Sequence, residues 1–134
     1  MYVTPIQVRF NDIDMMGHIN NAIVMEYLDL AKSRYFAAAG VPVKPEEGDF
    51  TVMVVRHEID FLSQIHYHDD VEVHTCTECY GNKSIRLALE VYANGKLACR
   101  CATVMCGYLR SVGSSALIPE ELKEQLRCFD AAHA

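Results

Sequence analysis

A change of period near residue 20 constrains the fold of this chain more than any other feature of its sequence. Val3 to Phe10 alternates, with Ile6, Val8 and Phe10 on one side, which is typical of a strand. From Asn21 onward the apolar residues recur at helical spacing instead. This is the only long helical pattern in the sequence. We therefore expect one long helix, packed against a sheet formed by the rest of the chain.

The helical pattern divides into two predicted faces. The apolar face comprises Ile23, Tyr27, Leu30, Ala31 and Ala38. The polar face comprises Glu26, Asp29 and Ser33.

Four strand patterns follow a loop rich in proline, glycine and acidic residues at 40–49. Hairpin signals separate them, and a short helix is expected from about Pro119. Leu97 to Leu109 is apolar on both faces, which suits a central strand or one covered by a partner subunit. The pattern predicts an α+β fold in which a five-stranded, mostly antiparallel sheet wraps around one long helix. We expect residues 1–134 to form a single domain.

Two carboxylates, a glycine, a histidine and two carboxamides lie within ten residues directly before the long helix. They are Asp12, Asp14, Gly17, His18, Asn20 and Asn21. Unpaired amides and the positive end of the helix dipole collect at such a position, so an oxyanion is well placed there. A neighbouring carboxylate can act as nucleophile or general base. The alternative is that Asp12 or Asn20 only caps the helix and His18 is a surface residue.

The segment Phe10 to Asn21 resembles the signature of the hot-dog-fold acyl-CoA thioesterases of the 4-hydroxybenzoyl-CoA thioesterase-like superfamily. Arg56 to Asp70 resembles the second strand and following turn of that family, and Cys106 to Leu122 resembles its last strand and terminal helix. The resemblance implies a hot-dog fold and hydrolysis of an acyl thioester.

The resemblance also implies roles for individual residues. Asp14 matches the carboxylate that attacks the thioester or activates water, and Asn21 falls where a helix amide polarises the carbonyl. Gly17 matches the turn glycine. His18 and Asn20 match a pattern found in many members, His18 as a catalytic and Asn20 as a substrate-binding candidate. Some members carry the carboxylate on the helix, where this chain has Glu26 and Asp29.

Tyr27 and His57 are further candidates for substrate binding. Tyr27 would lie in the core or at the rim of the acyl pocket. His57 lies on the apolar side of its strand, where a structurally satisfied histidine is the alternative to a proton-transfer group.

The predicted reaction releases a free acid and a thiol from acyl-CoA, with CoA as part of the substrate and no cofactor. One alternative is an acyl-carrier-protein thioesterase, whose acidic carrier would need a basic patch; the candidates are Lys83, Arg86, Lys96 and Arg100. Another is a non-catalytic acyl-thioester binding protein. We expect a homodimer or homotetramer, with substrate entering between subunits.

Composition excludes several other classes. A net charge of −6 argues against nucleic-acid binding, and polar residues interrupt every apolar run, which argues against a membrane span. The protein is therefore expected in the cytoplasm.

The six cysteines are interpreted as free thiols. Cys76 and Cys79 should face opposite sides of a strand, and Cys99 and Cys101 lack two further ligands, so no metal site is predicted.

Overall fold

The computed structural model describes residues 1–134 and contains six strands and two helices. The strands are β1 (Tyr2–Ile6), β2 (Phe50–Phe61), β3 (Val71–Tyr80), β4 (Ser84–Ala93), β5 (Lys96–Leu109) and the two-residue β6 (Ser114–Ser115). The helices are α1 (Asn21–Ala39) and α2 (Glu120–Ala132), and short 3₁₀ turns occupy Phe10–Asp12 and Pro45–Glu47.

The strands form one antiparallel sheet in the order β1-β3-β4-β5-β2, with β6 paired to β5. Helix α1 packs against β1 and β3, and α2 packs against β3 and α1. The predicted five-stranded sheet around one long helix, with a short C-terminal helix, is confirmed. Strands β1 and β2 are the two edges of the sheet.

Helix α1 begins where the period changes in the sequence. The side chain of Asn20 caps it by accepting a hydrogen bond of 2.8 Å from the Ala22 amide. Gly40 ends it in the left-handed conformation, with φ of 73°.

The buried face of α1 differs from the predicted apolar face. It consists of Val24, Tyr27, Leu28, Ala31, Lys32, Tyr35 and Phe36. Leu30 and Ala38, which were assigned to the apolar face, are exposed. The prediction was right for Tyr27 and Ala31 and wrong for Leu30 and Ala38. Apolar residues surround much of this helix, so their spacing alone does not single out the side that the sheet covers.

The first strand is shorter than its alternation predicted. It ends at Ile6, and Phe10 is exposed at the start of a 3₁₀ turn. The turn forms because the Asp12 carboxylate accepts a hydrogen bond of 2.9 Å from the Arg9 backbone amide. That contact bends the chain away from the sheet.

Strand β5 lies between β4 and β2 and is therefore a central strand of the sheet. Cys99, Cys101, Thr103 and Met105 are buried on the inner face; on the outer face Ala102 and Val104 are half-buried and Arg100 is exposed. Of the two explanations offered by the sequence, the structure shows the central strand.

A bulge in β3 corrects the expectation for Cys76 and Cys79. The register of β3 against β4 shifts between Thr77 and Cys79, so that Cys76 lies opposite Ala88 and Cys79 opposite Arg86. Because Ala88 and Arg86 are two residues apart on β4, both cysteines belong to the same side of the sheet. All six cysteines are free thiols.

Candidate active site

The motif before α1 folds into a tight turn. Ile13 and Ile19 form an isolated antiparallel bridge, the Asp14 amide donates to the His18 carbonyl at 3.0 Å, and the Gly17 amide donates to the Asp14 carbonyl at 3.1 Å. Gly17 has a φ of 87°, which favours glycine. The turn therefore fixes Asp14 and His18 as neighbours.

Asp12 is a structural residue of this turn. Its carboxylate is 1% exposed and accepts hydrogen bonds from the Tyr27 hydroxyl at 2.6 Å and from the Arg9 guanidinium at 3.0 Å, besides the Arg9 amide. Burial raises the pKa of Asp12, but the bonds from Tyr27 and Arg9 outweigh it and hold the pKa below its usual value. Asp12 is thus charged, buried and fully engaged.

Asp14 differs from Asp12 in its partners. It is half-buried, and its Oδ1 accepts one hydrogen bond of 2.9 Å from the Met16 amide. Its second oxygen makes no hydrogen bond within the chain. The turn therefore orients the Asp14 carboxylate and leaves one oxygen free for chemistry.

The first turn of α1 offers an unused donor. The side chain of Asn20 is occupied by capping, and the Asn20 carbonyl accepts from the amides of Ile23 and Val24. The amide of Asn21, the first residue of the helix, has no acceptor in the chain. Such an amide is one of the groups that a helix N-terminus presents to a ligand.

A cavity of about 220 Å³ lies beside this helix N-terminus. Two predicted residues, His18 and Asn21, line it; the others are Ile19, Val24, Phe61, Leu62, Ser63, Gln64, Ile65, Ala98 and Cys99. His18 is half-buried, with its Nδ1 3.3 Å from the Ile19 carbonyl oxygen. Asp14, Gly17 and Asn20 belong to the same turn and cap but do not line the cavity.

Sequence reasoning did not single out the segment from Phe61 to Ile65, which forms one wall. The amides of Leu62 and Ser63 donate to the Ala98 carbonyl at 2.9 and 3.1 Å, and the Ile19 amide donates to the Ile65 carbonyl at 2.7 Å. The first two bonds fasten this segment to β5, and the third fastens it to the motif turn. The signals in the sequence were that this segment ends the second strand pattern and lies within Arg56 to Asp70, which resembles the family's second strand and following turn.

Tyr27 and His57 do not reach this cavity. Tyr27 is buried, and it lines a different cleft with Arg9 and Glu26. His57 lies on β2 opposite Thr103, well before Phe61, and its Nδ1 is 2.9 Å from the Thr103 hydroxyl. Burial and the positive charge of Lys32 lower the pKa of His57.

The two carboxylates of the helix have other partners. Glu26 lies 3.5 Å from the Arg9 guanidinium, and Asp29 lies 2.8 Å from the buried ammonium of Lys32. Neither lines the cavity.

The basic residues considered for a carrier protein do not form one patch. Arg86 is paired with Glu78 at 2.9 Å and with Glu58 at 3.6 Å. Lys83 and Lys96 lie at opposite ends of β4, which for a strand of this length means roughly 30 Å apart.

Comparison with known proteins places the chain in a family. The family model of the thioesterase-like superfamily matches residues 8–126. The chain belongs to this superfamily. The arrangement of its sheet and helix is that of the hot-dog thioesterases.

Members of known structure resemble the chain over nearly its whole length. A thioesterase from Thermus thermophilus, crystallised with coenzyme A and Zn, is 36% identical, with 96% of this chain and 93% of that chain covered and a TM-score of 0.82. A Bacillus stearothermophilus protein described as a predicted thioesterase is 26% identical, with 94% and 93% covered and a TM-score of 0.85. YsmA, an uncharacterised Bacillus subtilis (strain 168) protein, is 25% identical over 93% of this chain and 84% of its own length.

The superfamily and these relatives support thioester hydrolysis as the general activity. The structure shows no group of three or more His, Cys, Asp or Glu side chains arranged to hold a metal ion. Neither helix combines the length and hydropathy required to cross a membrane.

Proposed function

We propose that this protein hydrolyses acyl-CoA thioesters to a free acid and CoA, with Asp14 as the active carboxylate. One observation carries the proposal: a cavity opens at the N-terminus of α1, beside the Asn21 amide that has no partner and next to the turn that holds Asp14. A thioester hydrolase needs a donor for the carbonyl oxygen and a base or nucleophile near the carbonyl carbon.

The Asn21 amide is the proposed donor to the thioester carbonyl. The positive end of the α1 dipole adds to its effect, because negative charge develops on that oxygen in the tetrahedral intermediate. The amide is held by the helix before the charge appears, so little reorganisation accompanies the reaction. Asn20 contributes indirectly, since its cap holds the first turn of the helix in place.

Asp14 would supply the attacking group by one of two routes. As a general base it takes a proton from water, whose oxygen attacks the carbonyl carbon; as a nucleophile it attacks that carbon itself, and water then hydrolyses the anhydride. In both routes the bond between carbon and sulfur breaks and CoA leaves as the thiol after protonation. His18 lines the cavity, and we propose that its imidazole hydrogen-bonds the thioester or carries a proton.

CoA is the proposed thiol carrier in preference to an acyl carrier protein. The relative at 36% identity holds coenzyme A, and the dispersed basic residues of this chain offer no single surface for an acidic carrier. The free carboxylate oxygen of Asp14 also favours an enzyme over a pure thioester-binding protein, which has no need of an unpaired carboxylate there.

The proposed functional unit is a dimer formed through β2. This strand is an edge of the sheet, and its row of exposed apolar side chains is unusual for a solvated edge. The row consists of Met53, Val54, Val55 and Phe61 in β2 and of Leu62 directly after it, each between 38% and 59% exposed. Phe61 and Leu62 also line the cavity, so a second copy seated on β2 would close the cavity on that side.

A thiol-release assay over a panel of acyl-CoAs tests the proposed function. Because Cys79 and Cys128 are exposed, the reaction of the protein alone with the thiol reagent must be subtracted, or the free acid measured by chromatography. We expect release of CoA and acid in equal amounts at a rate proportional to protein concentration. If no acyl-CoA turns over above the buffer rate while acyl-carrier-protein thioesters do, the carrier assignment is wrong; if neither does, the protein is a binder.

A further inference from the structure

The cavity has a buried part and an exposed part that differ in chemistry. We define the cavity floor as its five residues that are 1–3% exposed, namely Ile19, Val24, Ile65, Ala98 and Cys99. We define the cavity mouth as its six exposed or half-buried residues, namely His18, Asn21, Phe61, Leu62, Ser63 and Gln64. All four polar lining residues belong to the mouth, and the floor is wholly apolar.

The polar backbone groups around the floor are already used. The Ala98 carbonyl accepts from Leu62 and Ser63, and the Ile65 carbonyl accepts from Ile19. Burial, with Cys101 and Asp60 nearby, raises the pKa of the Cys99 thiol to about 12, so it is uncharged at neutral pH. A hydroxyl or carboxylate that reached the floor would therefore lose its water without gaining a strong partner.

The floor also closes the cavity in depth. One turn further along α1 lies Leu28, and two residues further along β5 lies Cys101; they are 0% and 2% exposed and line no part of the cavity. An apolar cavity of about 150 Å³ holds a ring the size of benzene. The cavity of about 220 Å³ includes the mouth, so the floor has room for no more than about one such ring or an acyl chain of similar size.

The two arms of a bound thioester have only one arrangement that suits these parts. With the carbonyl at the Asn21 amide, the CoA arm must leave through the mouth, because its nucleotide is large and charged. The acyl arm then enters the floor.

We infer that the enzyme selects short, apolar acyl groups, no larger than about a single unsubstituted ring or a chain of similar size, and that Cys99 sets the limit. The inference rests on the proposed function and adds the substrate class to it. Cys99 acts as a specificity-determining residue because it is 1% exposed and is the residue of the inner face of β5 that lines the apolar floor.

The test compares kcat/KM for acetyl-, butyryl-, hexanoyl-, dodecanoyl- and palmitoyl-CoA, and for benzoyl- against 4-hydroxybenzoyl-CoA. We expect the maximum near butyryl to hexanoyl, a fall of at least about tenfold at dodecanoyl, and a similar preference for benzoyl over its hydroxylated form. Equal rates for hexanoyl- and dodecanoyl-CoA, or a preference for 4-hydroxybenzoyl-CoA, would overturn the inference.

Cys99→Ala and Cys101→Ala form a matched pair, since both remove a buried thiol from the inner face of β5 and only Cys99 lines the cavity. Cys99→Ala should raise the ratio of octanoyl- to butyryl-CoA turnover by about tenfold, whereas Cys101→Ala should leave it unchanged. Equal shifts in both variants would refute the role of Cys99. If Cys99→Ala does not fold, the wild-type profile still decides the size limit.

Binding of S-alkyl-CoA thioethers separates this inference from the proposed function. These compounds resist hydrolysis, so their affinity reports the cavity alone. Tight binding of S-hexyl-CoA with at least about tenfold weaker binding of S-dodecyl-CoA would support the size limit even if no acyl-CoA were hydrolysed. Hydrolysis of acyl-CoAs with no dependence on chain length would leave the proposed function standing and remove the inference.

Discussion

The Tyr27 hydroxyl donates a hydrogen bond of 2.6 Å to the buried carboxylate of Asp12, which joins α1 to the turn that precedes it. This contact separates the roles of the two aspartates in the motif. Both carboxylate oxygens of Asp12 accept hydrogen bonds from Tyr27 and Arg9, whereas one oxygen of Asp14 accepts none within the chain. The geometry thus assigns support of the turn to Asp12 and leaves Asp14 available for catalysis.

Tyr27→Phe should destabilise the protein at neutral pH, and less so in acid. Loss of the phenol hydroxyl should lower the free energy of unfolding by about 1–3 kcal/mol, because a charged acceptor loses a buried donor. The native pKa of Asp12 is lowered, so its contribution is present above the usual carboxyl pKa and is lost as pH falls through the native pKa. Removing the Tyr27 donor raises that native pKa toward its usual value, so the difference in stability between wild type and variant should narrow as pH falls.

Thermal unfolding between pH 2 and pH 7 measures how the difference in Tm between wild type and Tyr27→Phe changes with pH. Tyr67→Phe is the control, since the Tyr67 hydroxyl makes no hydrogen bond within the chain. Identical profiles for Tyr27→Phe and the control would show that the contact contributes nothing.

Asn20→Ala should weaken the start of α1. Removal of an N-cap side chain costs about 1 kcal/mol, which lowers Tm by roughly 4 °C for a chain of this size. Asn20→Ser should recover most of the loss, because the hydroxyl can accept the same hydrogen bond from the Ala22 amide. Asn11→Ala provides the control, as the exposed Asn11 side chain makes no hydrogen bond; an equal loss in that variant would remove the capping explanation.

Alkaline pH should loosen α2 from the sheet. The Tyr35 hydroxyl lies 2.8 Å from the Thr77 hydroxyl and donates to Asp130 at 2.9 Å. Burial chiefly, together with the charge of Asp130, raises the pKa of Tyr35. A raised pKa stabilises the fold fully below the ordinary tyrosine value, about 10, and this contribution is lost as pH rises beyond it.

Urea unfolding at pH 7 and at pH 10.5 checks this expectation. Tyr35→Phe should lower the midpoint at pH 7, because Asp130 loses a donor, and should reduce the difference between the two pH values. A wild-type midpoint that is independent of pH over this range would contradict the assignment.

The exposed edge strand predicts a dimer whose loss abolishes activity. Val55→Asp places a charge on the exposed row of β2 and should yield a folded monomer with little turnover. Val112→Asp is the control, since Val112 is equally apolar and exposed but lies in the turn after β5. Sedimentation velocity at micromolar concentration gives the mass. A wild-type monomer with full activity would refute the prediction.

The boundaries of elements that depend on neighbouring residues could be predicted from the sequence. Asn20 caps the start of α1, and Gly40 ends the helix in the left-handed conformation. Both positions could be anticipated from residue type. The true end of β1 could not, because the Asp12 carboxylate that accepts from the Arg9 amide is also held by Tyr27, fifteen residues later in the chain. The bulge in β3 is likewise invisible to simple alternation.

The candidate site also has a part that could be predicted from the sequence and a part that could not. The motif turn and the helix start were evident from Asp14 to Asn21 because their residues are contiguous. The wall from Phe61 to Ile65 was not, since it depends on the register that sets Phe61 opposite Cys99. That register also explains why His57, correctly placed on the inner side of its strand, lies opposite Thr103 and away from the cavity.

Turnover by Asp14→Asn tests the central claim most directly. The substrate is the acyl-CoA that wild-type protein hydrolyses fastest, and Tm is recorded for each variant. Asp12→Asn is the matched control: it should lose stability, because its carboxylate is buried and fully bonded, while retaining more of kcat. Asp14→Asn should keep the wild-type Tm and lose about 10² or more in kcat. Near-normal turnover by Asp14→Asn would contradict the account.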